Sequence, residues 1–471
     1  MRAAPRHLRR VIMMVQKAIL ASILAVAAPL NAQDFAYSAD SIMKAAASNG
    51  FSGVVLVAKN GSVVFEKGYG LANRAEKIPF TPQTVVQIGS NTKDFTAVAI
   101  LQLKDRGLLD LQDKLSRFFP GAPDDKKDIT VWQLMTHKAG FPLGLGSDFA
   151  PMSRQMLIDS AMAFKLLFPP GTRESYSNTG YALLAAIIEK VSGKTYDEYV
   201  RDNILTPLGL KHTGFLLPGF ADPDLAHGYR TNGEDAGTML SKAHAPDGPY
   251  WNLRGNGGML STVGDMHAFY RALFETDKLL KPETRNLRFD PTQPIGLAGS
   301  DMINFFLYER VPEYGIEMII ASTNAAMKAP MVRRELAKAA GLPDVGGPQD
   351  AKEAEAPLAR ATGKPPSAGA AAVIDEFVAT FNKGDKAAMQ KFIEQHYLLP
   401  PDQPAAAQRA ERFSGLRSDL GTLDVIQKTV VDDGSVQVIV KSEREGQAML
   451  IFDMEQAAPF RIRRFGIQVG G

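Results

Sequence analysis

The stretch from Val85 to Gly107 constrains most strongly what this chain can become. Val85, Val86 and Ile88 lead into Gly89-Ser90-Asn91-Thr92-Lys93, and Phe95, Val98, Ala99, Ile100, Leu101 and Leu103 follow. A helix that is apolar nearly all round has to be buried, so this one is expected to run through the middle of a domain. Gly107, after Lys104-Asp105-Arg106, is its expected C-terminal stop. Ser90 and Lys93 share a face at the helix mouth, which lets an amine reach a hydroxyl. Free N–H groups and the dipole at the helix N-terminus lower a lysine pKa and favour an anion beside the serine. That is the outline of an activated nucleophile. Spacing alone does not make it one, because Ser41 and Lys44 stand at the same separation on an amphipathic surface helix.

With 471 residues there is room for two or three domains and a sizeable core. A net charge of +2 gives no argument for nucleic acid as a partner. The absence of cysteine excludes disulfides, thiolate metal sites and a cysteine nucleophile. Seven scattered histidines suggest no metal site, and no cofactor is called for. Residues 1–32 read as an export signal: Arg2, Arg6, Arg9, Arg10 and Lys17 precede an uncharged apolar run, with cleavage expected after Ala32. The run is short for a membrane span, so a periplasmic or secreted protein is expected, with no span once the signal is removed.

Along residues 33–342, Gly53 to Ala58 and Val63 to Phe65 flank Asn60-Gly61, a hairpin signal. Ile129 to His137 reads as a strand end capping a short helix, and Thr179 to Val191 as a helix closed by Gly193. Gly255-Asn256-Gly257-Gly258 reads as a flexible loop, with Thr262 capping a helix through Phe274. Two strands are expected over 305–309 and 315–321, then a last helix over 328–340. Hairpins with helices at both ends predict an α+β fold with an antiparallel sheet. Residues 343–368 are rich in Pro, Ala and charge without periodicity, the composition of a linker. Residues 369–471 read as a small α+β domain of two helices followed by four strands.

Tyr176-Ser177-Asn178 follows the turn Phe168-Pro169-Pro170-Gly171 and opens the Thr179 helix. A tyrosine near a lysine can act as general base, and an asparagine amide can orient a substrate amide or the lysine. Tyr250-Trp251-Asn252 fits the same pattern, but the first site has the more rigid support.

Together with the Ser90 motif, "ITVWQLMTHKAG" at 129–140, "FPPGTRESYSNTGYALLAAIIEKVSG" at 168–193, "PLGLKHTGF" at 207–215 and "GGMLSTVGDMHAFYRALF" at 257–274 resemble the serine β-lactamase-related family. That family includes class C β-lactamases, D-alanyl-D-alanine carboxypeptidases, D-aminopeptidases and related carboxylesterases. The resemblance implies a β-lactamase/transpeptidase-like fold, an antiparallel sheet flanked by helices with a helical subdomain. It implies Ser90 as the acylated nucleophile, with Lys93 and Tyr176 sharing the proton, Asn178 contacting the substrate amide or Lys93, and His137 in a structural place. Residues 369–471 faintly resemble the nuclear-transport-factor-two-like cone, through "FNKGD" at 381–385.

One departure bears on substrate. The family's third motif is lysine or histidine, any residue, then glycine, on the strand edging the site. Its counterpart here is Gly296-Leu297-Ala298-Gly299-Ser300, with Leu297 where the cation or imidazole belongs. The segment from Pro282 to Pro294 also reads as short by about a strand, typically ~5–6 residues. Gly299 and Ser300 remain, so an oxyanion hole from the N–H groups of Ser90 and Ser300 is still expected. Leucine cannot grip a carboxylate, and Arg254 and Lys281 are the candidate stand-ins. The leading expectation is a secreted serine hydrolase acting on ester or small amide substrates, D-amino-acid peptides and β-lactams among them. The alternative is a catalytically silent relative that binds peptidoglycan fragments or a protein partner. Oligomeric state is not fixed by the sequence.

Overall fold

Gly53 to Ala58 is apolar without alternation, the pattern of a strand covered on both faces. In the computed structural model it lies within β1 (Ser52–Lys59), buried along nearly its whole length. Described are residues 32–342 and 364–469, apart from 147, 217–218, 221–223, 230–232, 243, 247, 301–302, 324–328, 399–405, 431–434, 444–445 and 456. The expected export signal therefore lies outside the described residues save Ala32, as does the expected linker up to residue 363.

β1 turns through Asn60 and Gly61 into β2 (Ser62–Tyr69). Both turn residues are left-handed, φ 48° and 74°, as a two-residue hairpin with the native strand twist requires. β3 (Ile295–Ser300), β4 (Asn304–Val311) and β5 (Ile316–Thr323) complete an antiparallel sheet in the order β2-β1-β5-β4-β3. β3 is thus an edge, with Leu297 opposite Tyr308 and Gly299 opposite Phe306.

The helices that cover the sheet are α1 (Ala32–Ser48), α2 (Thr92–Asp105), α3 (Asn178–Ser192), α4 (Val263–Glu275) and α5 (Ala329–Ala339). Alternation along the strands divides the core in two. Val55, Val57, Leu307 and Ile320 meet Phe35 and Met43 of α1 and Val332 and Leu336 of α5. Val54, Leu56, Phe306, Tyr308 and Ile319 belong to the larger core, with α2, α3 and α4. A buried bidentate pair, Arg333 to Glu309 at 2.5 and 2.9 Å, ties α5 to β4.

α2 is the central helix that its composition demands, with every residue from Thr92 to Leu103 buried. It stops at Gly107, φ 70°, where the N–H groups of Gly107 and Leu108 reach the carbonyls of Lys104 and Leu103.

Residues 364–469 hold their own core, with Phe377, Phe392, Phe413 and Phe452 at its centre. It joins α6 (Ala368–Lys383), α7 (Lys386–His396) and α8 (Ala406–Leu420) to a sheet in the order β6 (Leu423–Val430), β7 (Val436–Ser442), β8 (Gly446–Met454), β9 (Ile462–Val469). α8 was not foreseen from sequence, because Ala410, Phe413, Leu416 and Leu420 form a thin apolar stripe among charges. Among the described residues no helix is long and apolar enough to cross a membrane.

Candidate active site

Ser90 sits in a single 3₁₀ turn, Gly89–Asn91, that feeds straight into α2. Gly89 has φ 52°, and a Cβ there would come within 2.9 Å of the Gly299 carbonyl carbon and 3.1 Å of Ser300 N. A Cβ on Gly299 would lie 2.4 Å from Ile88 O and 2.6 Å from Ser90 N. The two glycines let the edge strand press its backbone against the Ser90 turn. This sets the backbone nitrogens of Ser90 and Ser300 close to the Gly89–Gly299 approach.

Lys93 Nζ donates to Ser90 Oγ at 3.1 Å and to the Asn256 carbonyl at 2.8 Å. The side chain is 5 % exposed. Burial pushes its ammonium down to about 7, against the Asp94 and Asp148 carboxylates, which pull it up. Near neutral pH it is therefore poised to hold or release a proton, the property required of a general base.

Tyr176 places its hydroxyl 2.7 Å from Ser90 Oγ, and its ring 4.6 Å from Lys93 Nζ. The tyrosine is 45 % exposed, so it stands at the cleft mouth. Its position is set from behind by His137, whose ring lies 4.6 Å from it. His137 Nδ1 accepts the Ser177 N–H at 3.1 Å and its carbonyl accepts the Ser175 N–H at 2.9 Å. That bond requires a bare Nδ1, and burial with the charges of Lys93 and Arg288 holds the imidazole down to about 3. His137 is thus a neutral bracket for the tyrosine segment. Ser177 caps α3, accepting the Gly180 N–H while donating to Pro142 O.

Asn178 opens α3, and its N–H donates to the Leu143 carbonyl at 2.8 Å. Its Oδ1 is buried and without a hydrogen-bond partner among the described residues. It does not bond Lys93, whose second partner is Asn256. In Tyr250-Trp251-Asn252, the alternative tyrosine site, the Trp251 backbone N–H donates to Met152 O, Trp251 stacks with Arg254, and the Asn252 carbonyl accepts from Asn256 Nδ2 at 2.9 Å.

Leu297 is half-buried and packs on the larger core. It shares a strand face with Gly299, two residues on, so the register of the third motif is kept while its charge is missing. Neither proposed stand-in replaces it. Arg254 is buried and donates to Pro249 O. The Lys281 N–H bonds Asp105 near the far end of α2.

The glycine stretch 255–258 corrects the expectation of a flexible loop, since residues 251–260 are all buried. Its glycines serve close approach rather than mobility: a Cβ on Gly255 would lie 2.7 Å from the Ala185 Cβ. Gly255 O accepts Thr96 Oγ1 at 2.6 Å, which locks the loop behind α2 and presents the Asn256 carbonyl to Lys93. Sequence reasoning missed Asn256 because the group it supplies is main chain.

The chain is similar in sequence and fold to known proteins. A family model described as Beta-lactamase matches residues 39–309. "Putative penicillin-binding protein PbpX" of Bacillus subtilis (strain 168) is 32% identical over 242 residues, 51% of this chain and 59% of that protein. The chain thus spans about three fifths of that curated relative. Among solved structures, the penicillin binding protein from Bacillus halodurans is similar with TM-score 0.54 and 25% identity, over 64% of this chain and 98% of that one. "EstCE1, a hydrolase with promiscuous acyltransferase activity" shares the fold with TM-score 0.54 and 19% identity, over 66% of this chain and 99% of that one.

Proposed function

This chain belongs to the beta-lactamase family, and from that premise we propose that it is a serine hydrolase working through an acyl-enzyme on Ser90. The observation that carries the proposal is Ser90 Oγ flanked by Lys93 Nζ at 3.1 Å and Tyr176 OH at 2.7 Å. Ser90 Oγ attacks the substrate carbonyl carbon while its proton passes to the Lys93–Tyr176 pair. The carbonyl oxygen takes the developing charge toward the N–H groups of Ser90 and Ser300. The bond to the leaving group then breaks, and the pair returns the proton to the departing oxygen or nitrogen. Water repeats the sequence on the acyl-enzyme, releasing the acid and restoring Ser90.

Leu297 directs the choice of substrate. A neutral ester or small amide loses little by the missing cation, whereas a carboxylate-ended peptide or a β-lactam loses its anchor. The basic start and apolar run over residues 1–32 support export to the periplasm or the medium.

The test is hydrolysis of short-chain p-nitrophenyl esters by residues 33–471 beside the Ser90→Ala variant. Ser90→Ala should abolish turnover and leave the melting temperature nearly unchanged; turnover retained by the variant refutes the assignment. Leu297 also favours a second reading, a silent relative that binds peptidoglycan fragments or a protein partner. No turnover by either protein selects it.

A further inference from the structure

The residue after the lysine is Asp94, at the third position of α2 and 3 % exposed. A carboxylate in the first turn of a helix is favoured by the helix dipole, but burial penalises its charge unless a partner holds it. Tyr270 of α4 supplies one such partner: its hydroxyl lies 2.8 Å from Asp94 Oδ2 and 3.1 Å from Asn91 Oδ1. The tyrosine is itself fixed by stacking on Tyr308 at 3.5 Å, and Tyr308 is the cross-strand partner of Leu297. A continuous buried path thus runs from the edge strand to the acidic neighbour of Lys93.

We propose that Asp94 is a positioning residue of this site, a buried counter-charge held by Tyr270 that governs how readily Lys93 gives up its proton. Successive side chains on a helix point about 100° apart, so the two do not form a direct ion pair. The carboxylate acts through the poorly screened interior. From the other packed segments Lys93 is faced by Asp148, Tyr176, Tyr181 and the neutral His137. The Arg288 charge acts on His137, Tyr181 and Tyr270, and the edge strand presents Leu297, Gly299 and Ser300 without charge. Asp148 is exposed and therefore screened by salt, which leaves Asp94 as the more effective anion. The catalytic consequence rests on the reading of Ser90 and Lys93 as the reacting pair; the charge coupling itself does not.

The experiment follows Lys93 directly. The full chain is produced with lysine carrying ¹³C at Cε, the Lys93 resonance is assigned from its loss in Lys93→Met, and its shift is followed against pH. Asp94→Asn should lower the titration midpoint by about one pH unit, the effect of losing one nearby opposite charge. Asp94→Ser removes the same charge and serves where Asn impairs folding. Tyr270→Phe removes one partner of the carboxylate without removing its charge and should produce a smaller shift. A midpoint unchanged in both Asp94 variants overturns the proposal, as does a wild-type midpoint near the ordinary lysine value of about 10.4. Where the wild type turns over ester, the acid limb of kcat/KM should move with the midpoint. A wild type without turnover counts against the hydrolase reading, while the titration still decides the role of Asp94.

Discussion

Gly299→Ala tests the geometry of the site more sharply than any charge change. A Cβ at Gly299 meets Ile88 O at 2.4 Å and Ser90 N at 2.6 Å, where ordinary contact begins near 3.4 Å. The shortfall is about 1 Å, and the obstructing atoms are backbone, which cannot rotate aside. β3 is an edge strand, held on one side by β4, so it can yield, and in yielding it carries the Ser300 N–H away from the Ser90 turn. A donor that would sit ~2.9 Å from the oxyanion then stands at ~3.9 Å, beyond hydrogen-bonding distance. Losing one such donor costs about 10²–10³ in kcat, or about 2.7–4 kcal/mol of transition-state stabilisation. The strained contact should cost a further ~1–3 kcal/mol of folding stability. The assay is kcat and KM on short-chain p-nitrophenyl esters, with a thermal melt alongside. The expected result is a folded protein with a lowered melting temperature, kcat reduced at least ~100-fold and KM little changed. A folded variant with wild-type kcat would refute the claim that Ser90 and Ser300 jointly bind the oxyanion.

Two other substitutions follow from the same geometry. Burial lowers Lys93 from its ordinary 10.5 to about 7, so between those values the unfolded chain binds more protons than the folded one. The buried amine therefore destabilises the fold in full below about pH 7, and the penalty fades as pH rises toward 10.5. Lys93→Met should abolish ester turnover yet melt higher than wild type below pH 7, with the gain shrinking at alkaline pH; a pH-independent difference would contradict the burial argument. Leu297→His restores an imidazole in the kept register and should speed acylation by penicillin at least ~10-fold, a change of about 1.4 kcal/mol in barrier. Labelling with a fluorescent penicillin measures it, and no gain would place the deeper lesion in the 282–294 segment.

What was legible in the sequence has a common physical basis. The hairpin at Asn60-Gly61, the buried helix after Ser90 and its stop at Gly107 are encoded by a few adjacent residues, each with a conformational requirement of its own. Ser90, Lys93 and Tyr176 carry side chains whose chemistry identifies them, so their meeting across 86 residues could be expected from type and context. The Asn256 carbonyl could not, because every residue owns a carbonyl and only the path of the chain makes one special. The glycines at 255–258 misled for the same reason: the sequence permits either mobility or close packing, and contact with Ala185 decides it. The role of His137 depends on which ring nitrogen is bare, and that follows from the Ser177 N–H beside it.

The substitution at Leu297 can now be separated from the machinery around it. Leu297 and Gly299 lie on one strand face, but they act through different atoms. The glycine acts through the side chain it lacks, which admits the Ser90 turn to the strand backbone. Residue 297 acts through the side chain it has. Replacing a cation there with leucine leaves the strand register and the close approach at Gly299 intact, while removing the group that would anchor a carboxylate. Both the Ser90–Lys93–Tyr176 contacts and the Gly89–Gly299 approach arise from other residues. Such a change should alter which substrates are held before it alters whether a well-placed carbonyl is attacked. It follows that a neutral ester, which needs no anchor at residue 297, is the substrate class on which the chemistry of Ser90 should be sought first.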